Sequence, residues 1–424
     1  MHTSTSTWLA LRRTRTACAA GLLVATALSP GAAAAGAGQV PADTVTFRQL
    51  SADVNSAEPK VRRTALKTLA TMGPEALDPI SLLVADPIRD IRHDAIQAVV
   101  GIYVEPPPKR RVSSPEDAFE WSPYLTTPWA VPSVLTTNLV RALADDWPSE
   151  RRDAAYALGV VLSPPIDARV ADELTYSLSD PASEVRLAAV RVLGRLQAAR
   201  AGDQLIGRIV DSDLAVRLAA MRAVGELREA RALVALRQQI DYYGSATAGR
   251  AALDALARIA HPSTAGLIEQ ERFSHNGENR RIAYEGIARL GGVRDADATS
   301  VEQKLTEERD NEVRLAMAFA LAAAGRPYVE RVVQAVAEPP LADQAMGYLV
   351  ELGRIQPDAL VPHLQDRDPV IRARVATATG LVGGQLAEAE LTRLTTDGDP
   401  TVRRAAEAAI LRLRTVSKKP GTAR

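Results

Sequence analysis

Few side chains in this sequence have the types and spacing that catalysis or metal binding requires. Of the five histidines, only His93 is followed by an acid, Asp94. One His–Asp pair cannot supply the ligands of a site that holds two metal ions. The only cysteine is Cys18, and no Gly-rich phosphate loop after a strand, Ser-His-Asp order or His-Glu-x-x-His sequence occurs. We therefore predict no catalytic, cofactor-binding or metal-binding residues and no cofactor.

A second pattern is far more regular, and it consists of an acidic residue that stands six positions before an arginine. The pair recurs about every 31 residues, and a fixed period of that length is typical of stacked supersecondary units. The pairs are Asp86 with Arg92, Asp146 with Arg152, Asp180 with Arg186, Asp211 with Arg217, Glu308 with Arg314, Asp366 with Arg372, and Asp397 with Arg403. Two further units have Gly249 and Ala342 where the arginine is expected.

The residues around each pair predict two helices per unit. Apolar residues recur at helical spacing from Leu187 to Leu196, so an amphipathic helix B follows the arginine. Asp180 and Pro181 mark its start. A shorter apolar-periodic segment, helix A, precedes each turn. The acid then lies in the turn between A and B, and the arginine lies in the first turn of B.

This placement has two interpretations. In the first, the arginine binds its own acid or the acid of the next unit, and the pairs form a structural ladder. Such charge-assisted hydrogen bonds are worth about 1.5–3 kcal/mol each when they are shielded. In the second, the arginines form a row that binds an anionic ligand. We favour the structural ladder, because each arginine brings its own acid.

The pattern Asp-Pro-x-x-x-Val-Arg-x-x-Ala-Ala-x-x-Leu-Gly resembles HEAT repeats, and among them the short HEAT-like repeats of phycobilisome lyases. The resemblance covers about residues 50–413. It implies an all-α fold, an α-solenoid of about eleven two-helix HEAT-like repeats. It implies little about activity, because arrays of this kind serve as lyases, as hydroxylases and as scaffolds. The hydroxylases hold iron with several His-Glu pairs, whereas this sequence has only the His93-Asp94 pair.

One stretch, residues 104–132, interrupts the period. Prolines are so dense there that we expect no regular helix. The stretch also carries Phe119, Trp121, Tyr124 and Trp129, which are our candidate partner-binding residues. Three interpretations stay open: the aromatics cover neighbouring helices, they bind a partner, or the stretch is disordered.

The two ends of the sequence differ from the repeats. Residues 1–38 have three arginines before a short apolar stretch and a run of alanines, which predicts a cleaved signal peptide and short linker. We therefore expect an exported protein, periplasmic or secreted, without a stable membrane span after cleavage; an uncleaved anchor is the alternative. Repeats are predicted at 39–103 and 133–416, and a flexible tail is predicted at residues 417–424.

The balance of charges bears on the partner. The sequence has 51 basic and 51 acidic residues, so it has no basic field of the kind that nucleic-acid binding needs. We predict a non-enzymatic scaffold that binds a protein or peptide, with Arg191, Arg195, Arg222 and Arg289 as part of its surface. The alternatives are an enzyme or an accessory subunit of the lyase-like or metal-dependent kind, and a purely structural role.

Overall fold

The computed structural model describes residues 42–104, 113–125, 129–383 and 387–417. The chain divides into two units, Met1–Val45 and Thr46–Arg424. The predicted signal segment 1–38 and the tail beyond Ser417 lie outside the described residues. Within the described ranges the chain is all-α, and none of its helices has the length and apolar character needed to cross a membrane.

The α-helices follow one another in a regular order. They are α1 (Ala42–Asp53), α2 (Pro59–Leu69), α3 (Leu77–Leu83), α4 (Arg89–Tyr103), α5 (Pro115–Leu125), α6 (Ser133–Ala142), α7 (Pro148–Val161), α8 (Ala168–Tyr176), α9 (Ser183–Arg195), α10 (Gly202–Arg208), α11 (Leu214–Glu226), α12 (Leu233–Tyr243), α13 (Thr247–Ile259), α14 (Ala265–Glu271), α15 (Gly277–Arg289), α16 (Asp295–Glu307), α17 (Asn311–Ala323), α18 (Val329–Ala335), α19 (Ala342–Ile355), α20 (Pro369–Val382), α21 (Ala387–Leu394) and α22 (Pro400–Ser417).

These helices form eleven A–B pairs, as the sequence period predicts. The B helices are α2, α4, α7, α9, α11, α13, α15, α17, α19, α20 and α22. The A helix of the tenth pair is a 3₁₀ helix, Pro357–Gln365, which contains Pro362. In an α-helix the ring of Pro362 would clash with the carbonyl of Asp358, four residues earlier, which disfavours the α-helical form there. Helix α5 belongs to no pair.

Each B helix packs against the next B helix, so the repeats share buried surface along the stack. The buried apolar side chains form two clusters that meet on α13, where Leu256 belongs to the first and Leu253 to the second. Small residues allow successive B helices to approach each other closely. A Cβ atom on Gly225 would lie 3.0 Å from the backbone of Ala255. Gly325 has a φ of +78° just after α17, where it ends the helix.

The stretch 104–132 does not interrupt the stack. Helix α4 packs directly against α7, and α3 packs against α6. The Tyr103 hydroxyl donates to the Ala130 carbonyl at 3.2 Å, so the two ends of the stretch lie together. Our expectation that this stretch lacks a regular helix is wrong, because α5 forms within it. Pro115 occupies its first position, where no backbone donor is needed.

Candidate functional site

The ladder arginines contact two turns at once, as Arg186 shows. Its Nη1 donates to the carbonyls of Asp180 and Pro181 at 2.9 and 3.1 Å. Its Nε and Nη2 donate to the Asp211 carboxylate at 3.0 and 2.8 Å. Each arginine thus holds the backbone of its own turn and the carboxylate of the next. The same carboxylate contact joins Arg62 to Asp86, Arg92 to Asp145, Arg151 to Asp180, Arg280 to Glu308, and Arg372 to Asp397.

The acids also shape their own turns. The Asp211 carboxylate accepts from the backbone N–H of Asp213 at 3.0 Å, which closes the turn before helix B. Burial opposes its ionisation most strongly, but the hydrogen bonds from Arg186 and Asp213, with the charges of Arg186 and Arg208, lower the pKa of Asp211 overall. Because the donors of Arg186 are used inside the protein, this geometry favours the structural ladder over an anion-binding row.

Two of the predicted pairs are wrong. Asp146 is exposed, and Arg152 binds the adjacent Asp153 at 2.8 Å. The ladder residues of that repeat are their neighbours: Arg151 donates to the Asp145 carbonyl at 2.8 Å. Two acids and two arginines stand side by side there, so the spacing of six cannot distinguish them.

Glu308 and Arg314 are likewise not a pair. The Glu308 carboxylate accepts from Arg280 of the preceding repeat, at 3.0 Å from both nitrogens. Arg314 reaches only the Asn311 side chain, at 3.4 Å, and its Nε has no hydrogen-bond partner among the described residues.

The ladder has a gap after Arg217. Arg217 donates to the Asp211 and Ser212 carbonyls, and its Nε has no partner within the described ranges. The next turn carries Gly244 where an acid would stand. The prediction that this next repeat lacks its arginine is wrong, because Arg250 pairs with Glu278 at 2.8 Å.

Helix α5 lies on the B helices α7 and α9, and one aromatic ring anchors it. Phe119 is 2% exposed, and its ring centroid lies 5.2 Å from that of Tyr156. The absence of a side chain at Gly159 makes room for the ring, because a Cβ atom there would lie 2.7 Å from Phe119. We call the surface formed by Tyr156, Gly159, Arg191 and Arg195 the α5 site.

Charged groups surround this anchor. Glu116 accepts from Arg191 Nη1 at 3.0 Å and from the Tyr156 hydroxyl at 3.1 Å. Glu120 also forms an ion pair with Arg191. Burial is the main cause that lowers the pKa of Arg191. Two carboxylates one helical turn apart therefore meet one partly buried guanidinium.

Arg195 recognises both the ring and the backbone of Phe119. Its guanidinium carbon lies 3.3 Å from the centroid of the Phe119 ring, in a cation–π arrangement. Its Nη1 also donates to the Phe119 carbonyl. Pro123, four residues further along α5, has no N–H to offer that carbonyl. Arg195 donates to this carbonyl in place of that backbone donor.

The four aromatic residues that we predicted as partner contacts have different outcomes. Phe119 is buried, so its expected role as an exposed partner contact is wrong. Trp129 is partly buried and packs against the core. The side chains of Trp121 and Tyr124 lie outside the described residues.

His93 faces two buried carboxylates on α7. Its Nδ1 lies 3.7 Å from Glu150 and 3.5 Å from Asp153, each of which has a side chain only 1% exposed. Burial is the main cause that raises the pKa of both carboxyls. Arg89 donates to one oxygen of Glu150, and Arg152 donates to one oxygen of Asp153. No group of three metal-ligating side chains with suitable geometry occurs among the described residues.

A second charged cluster joins B helices that are two repeats apart. Arg289 on α15 donates two hydrogen bonds of 2.8 Å to Glu351 on α19. The Tyr348 hydroxyl donates to Glu285 at 2.6 Å, and its ring stacks on Phe319 of the intervening α17 at 4.2 Å. The Arg289 side chain is 6% exposed, so its predicted role on an open binding surface is wrong. Long-range pairs such as these leave no signal in the 31-residue period.

Comparison with known proteins finds one matching family model, which covers part of the chain. The sequence model of HEAT repeats matches residues 171–257. The chain is similar to the crystal structure of an engineered protein, with 19% identity and a TM-score of 0.42 over 87% of this chain and 98% of that one. It is also similar to the complex of CpcE and CpcF of phycocyanin lyase from Nostoc sp., with 19% identity and a TM-score of 0.36 over 66% of this chain and 96% of that one. No curated protein matches the sequence significantly.

Proposed function

We propose that this HEAT-repeat protein is a non-enzymatic scaffold that binds a protein or peptide on the exposed side of its B helices. One observation carries the proposal: the B-helix surface already holds a peptide segment, because α5 is bound there through Arg191, Arg195 and Tyr156. Stacked helical repeats are well suited to this task, because they present a long continuous surface to a partner.

Part of this surface is open. Arg222 on α11 has a side chain that is 69% exposed, and its positive charge acts on Arg191 of the preceding repeat. The surface therefore continues past α5 with a further exposed guanidinium, whose Nε donates to Glu226 at 2.8 Å. Arginines with aromatic neighbours are frequent at protein interfaces. This combination supports binding of an acidic protein segment.

A photo-crosslinking amino acid at position 222 tests the proposal. We expect crosslinks from that position to one partner in the native compartment. The control position is Tyr176 on the A helix α8, which is 83% exposed and should give no such crosslink. Partner crosslinks from the A side alone would contradict the proposed surface.

We also propose that the protein is exported, because residues 1–38 combine arginines, a short apolar stretch and small residues. Cell fractionation and the N-terminal sequence of the mature protein test this. The competing function is an enzyme or accessory subunit of the lyase-like or metal-dependent kind. Stoichiometric metal or a bound chromophore in the purified mature protein would favour that function and would contradict a scaffold.

A further inference from the structure

We propose that the α5 site is a docking site for an acidic, aromatic helix of a protein partner, and that α5 is an internal competitor which this partner displaces. The inference rests on the proposed function and goes further, because it names the site, the chemistry of the bound segment and a means of regulation.

The first argument is the chemistry of the covered surface. Arg191 and Arg195 lie beneath α5, and the Arg191 side chain is 25% exposed. Covering charges that could remain in water is costly, and a paired charge gains little over a well-packed apolar group. Helix α17 of the same chain is buried without charged groups: every residue from Leu315 to Ala322 is buried and none is charged. A surface with charged groups is typical of contacts that associate and dissociate reversibly.

The second argument is that α5 contributes nothing to the continuity of the stack. Arg92 binds Asp145 at 2.8 Å, so the ladder passes directly from the repeat before α5 to the repeat after it. Tyr103 and Ala130 hold the two ends of the stretch together. Departure of α5 would therefore leave the packing of α4 against α7 and the ladder in place.

The third argument defines the ligand. The site binds Glu116 and Glu120, which lie one helical turn apart, and the ring of Phe119 between them. A partner helix needs two acids at positions i and i+4 and an aromatic residue at i+3. Beyond the site, Arg222 pairs with Glu226 at 2.8 Å, but its side chain is 69% exposed, so a partner helix longer than α5 could add an acid to this exposed pair, a contact that α5 lacks.

The test uses the full mature protein and a fluorescent synthetic peptide with the sequence of residues 113–125. In the wild-type protein the attached α5 competes at a high effective concentration, so we expect weak binding of the peptide. The double variant Glu116→Gln with Glu120→Gln weakens the internal helix but leaves the site intact. We expect it to bind the peptide at least about tenfold more tightly than wild type, because a larger fraction of its sites is open.

Controls assign that binding to the site. Adding Arg191→Ala to the double variant should abolish the gain, and a peptide with Ala in place of Phe119 should not bind. Circular dichroism of each variant verifies the fold. A second opening variant, Phe119→Ala, should give the same order of affinities.

Several outcomes would overturn the inference. Equal binding to wild type and both opening variants, or no saturable binding to either opening variant, would make α5 a permanent part of the fold. Dimers of the opening variants that form by exchange of α5, measured by light scattering, would make the occupant a second copy. In either case the partner crosslinks at position 222 could persist, so the proposed function would survive.

Discussion

Arg92 and Asp145 form an ion pair of 2.8 Å although the stretch 104–132 separates them in the sequence. The side chains are 16% and 9% exposed, so water weakens the pair little. This contact makes the second and third repeats neighbours. It also shows that the stretch is an addition to a continuous array, and it does not replace a repeat.

Deletion of residues 105–128, with a short Gly-Ser linker in their place, should therefore give a folded protein. We expect unchanged helical stacking and a moderately lower unfolding midpoint, because Tyr156 loses the contact with Phe119. Circular dichroism and thermal unfolding measure both. As a control, deletion of the paired helix α6, which buries Leu135 and Leu139, should prevent cooperative unfolding. An unfolded first variant would contradict the continuous ladder.

Arg186→Ala should destabilise the protein more than Arg217→Ala. Arg186 binds the buried Asp211 carboxylate as well as two carbonyls, whereas Arg217 binds carbonyls only. We expect a loss of about 3 kcal/mol for Arg186, because its removal takes a charged partner from a buried acid, and about 1 kcal/mol for Arg217. Denaturant unfolding compares the two. Equal losses would mean that the carboxylate contact adds nothing.

Gly159→Ala should displace the ring of Phe119, because the new Cβ atom would lie 2.7 Å from that ring and 2.9 Å from Val192. We expect a cost of about 1–3 kcal/mol, which is typical of overpacking. The matched control is Gly207→Ala in α10, where nothing lies within 4 Å and the change should be neutral or slightly stabilising. In a Phe119→Ala background the cost at position 159 should fall. An undiminished cost would locate the clash elsewhere.

Asp153→Asn and Glu150→Gln should stabilise the protein at neutral pH. Burial raises the pKa of both carboxyls in the folded state, so their ionisation opposes folding as the pH rises through those values. The gain should be largest near pH 7 and should shrink as the pH falls towards 4, where the wild-type carboxyls bind protons themselves. Unfolding midpoints at several pH values measure this. The exposed Asp146→Asn is the control, and a gain that grows on acidification would contradict the prediction.

Two wrong residue assignments show what a local sequence pattern cannot determine. Arg151 and Arg152 are adjacent, but they differ by about 100° around the helix axis, so only one can face the next turn. The choice depends on where helix α7 begins and how it packs, and the spacing of charges does not contain that information. The spacing likewise places the arginine of a later repeat at position 249, whereas the loop after α12 puts it one position further on, at Arg250.

The amino-acid sequence by itself determined the repeat, the eleven helix pairs and the turns in which the acids lie. Hydrogen bonds within a turn and the apolar period of a helix act over a few residues, so they are visible in the order of residues. Only the tertiary structure decided which carboxylate each arginine binds, that Phe119 is buried beside Gly159, and that Arg289 reaches Glu351. These contacts join residues 24 to 62 positions apart, and packing between helices selects them.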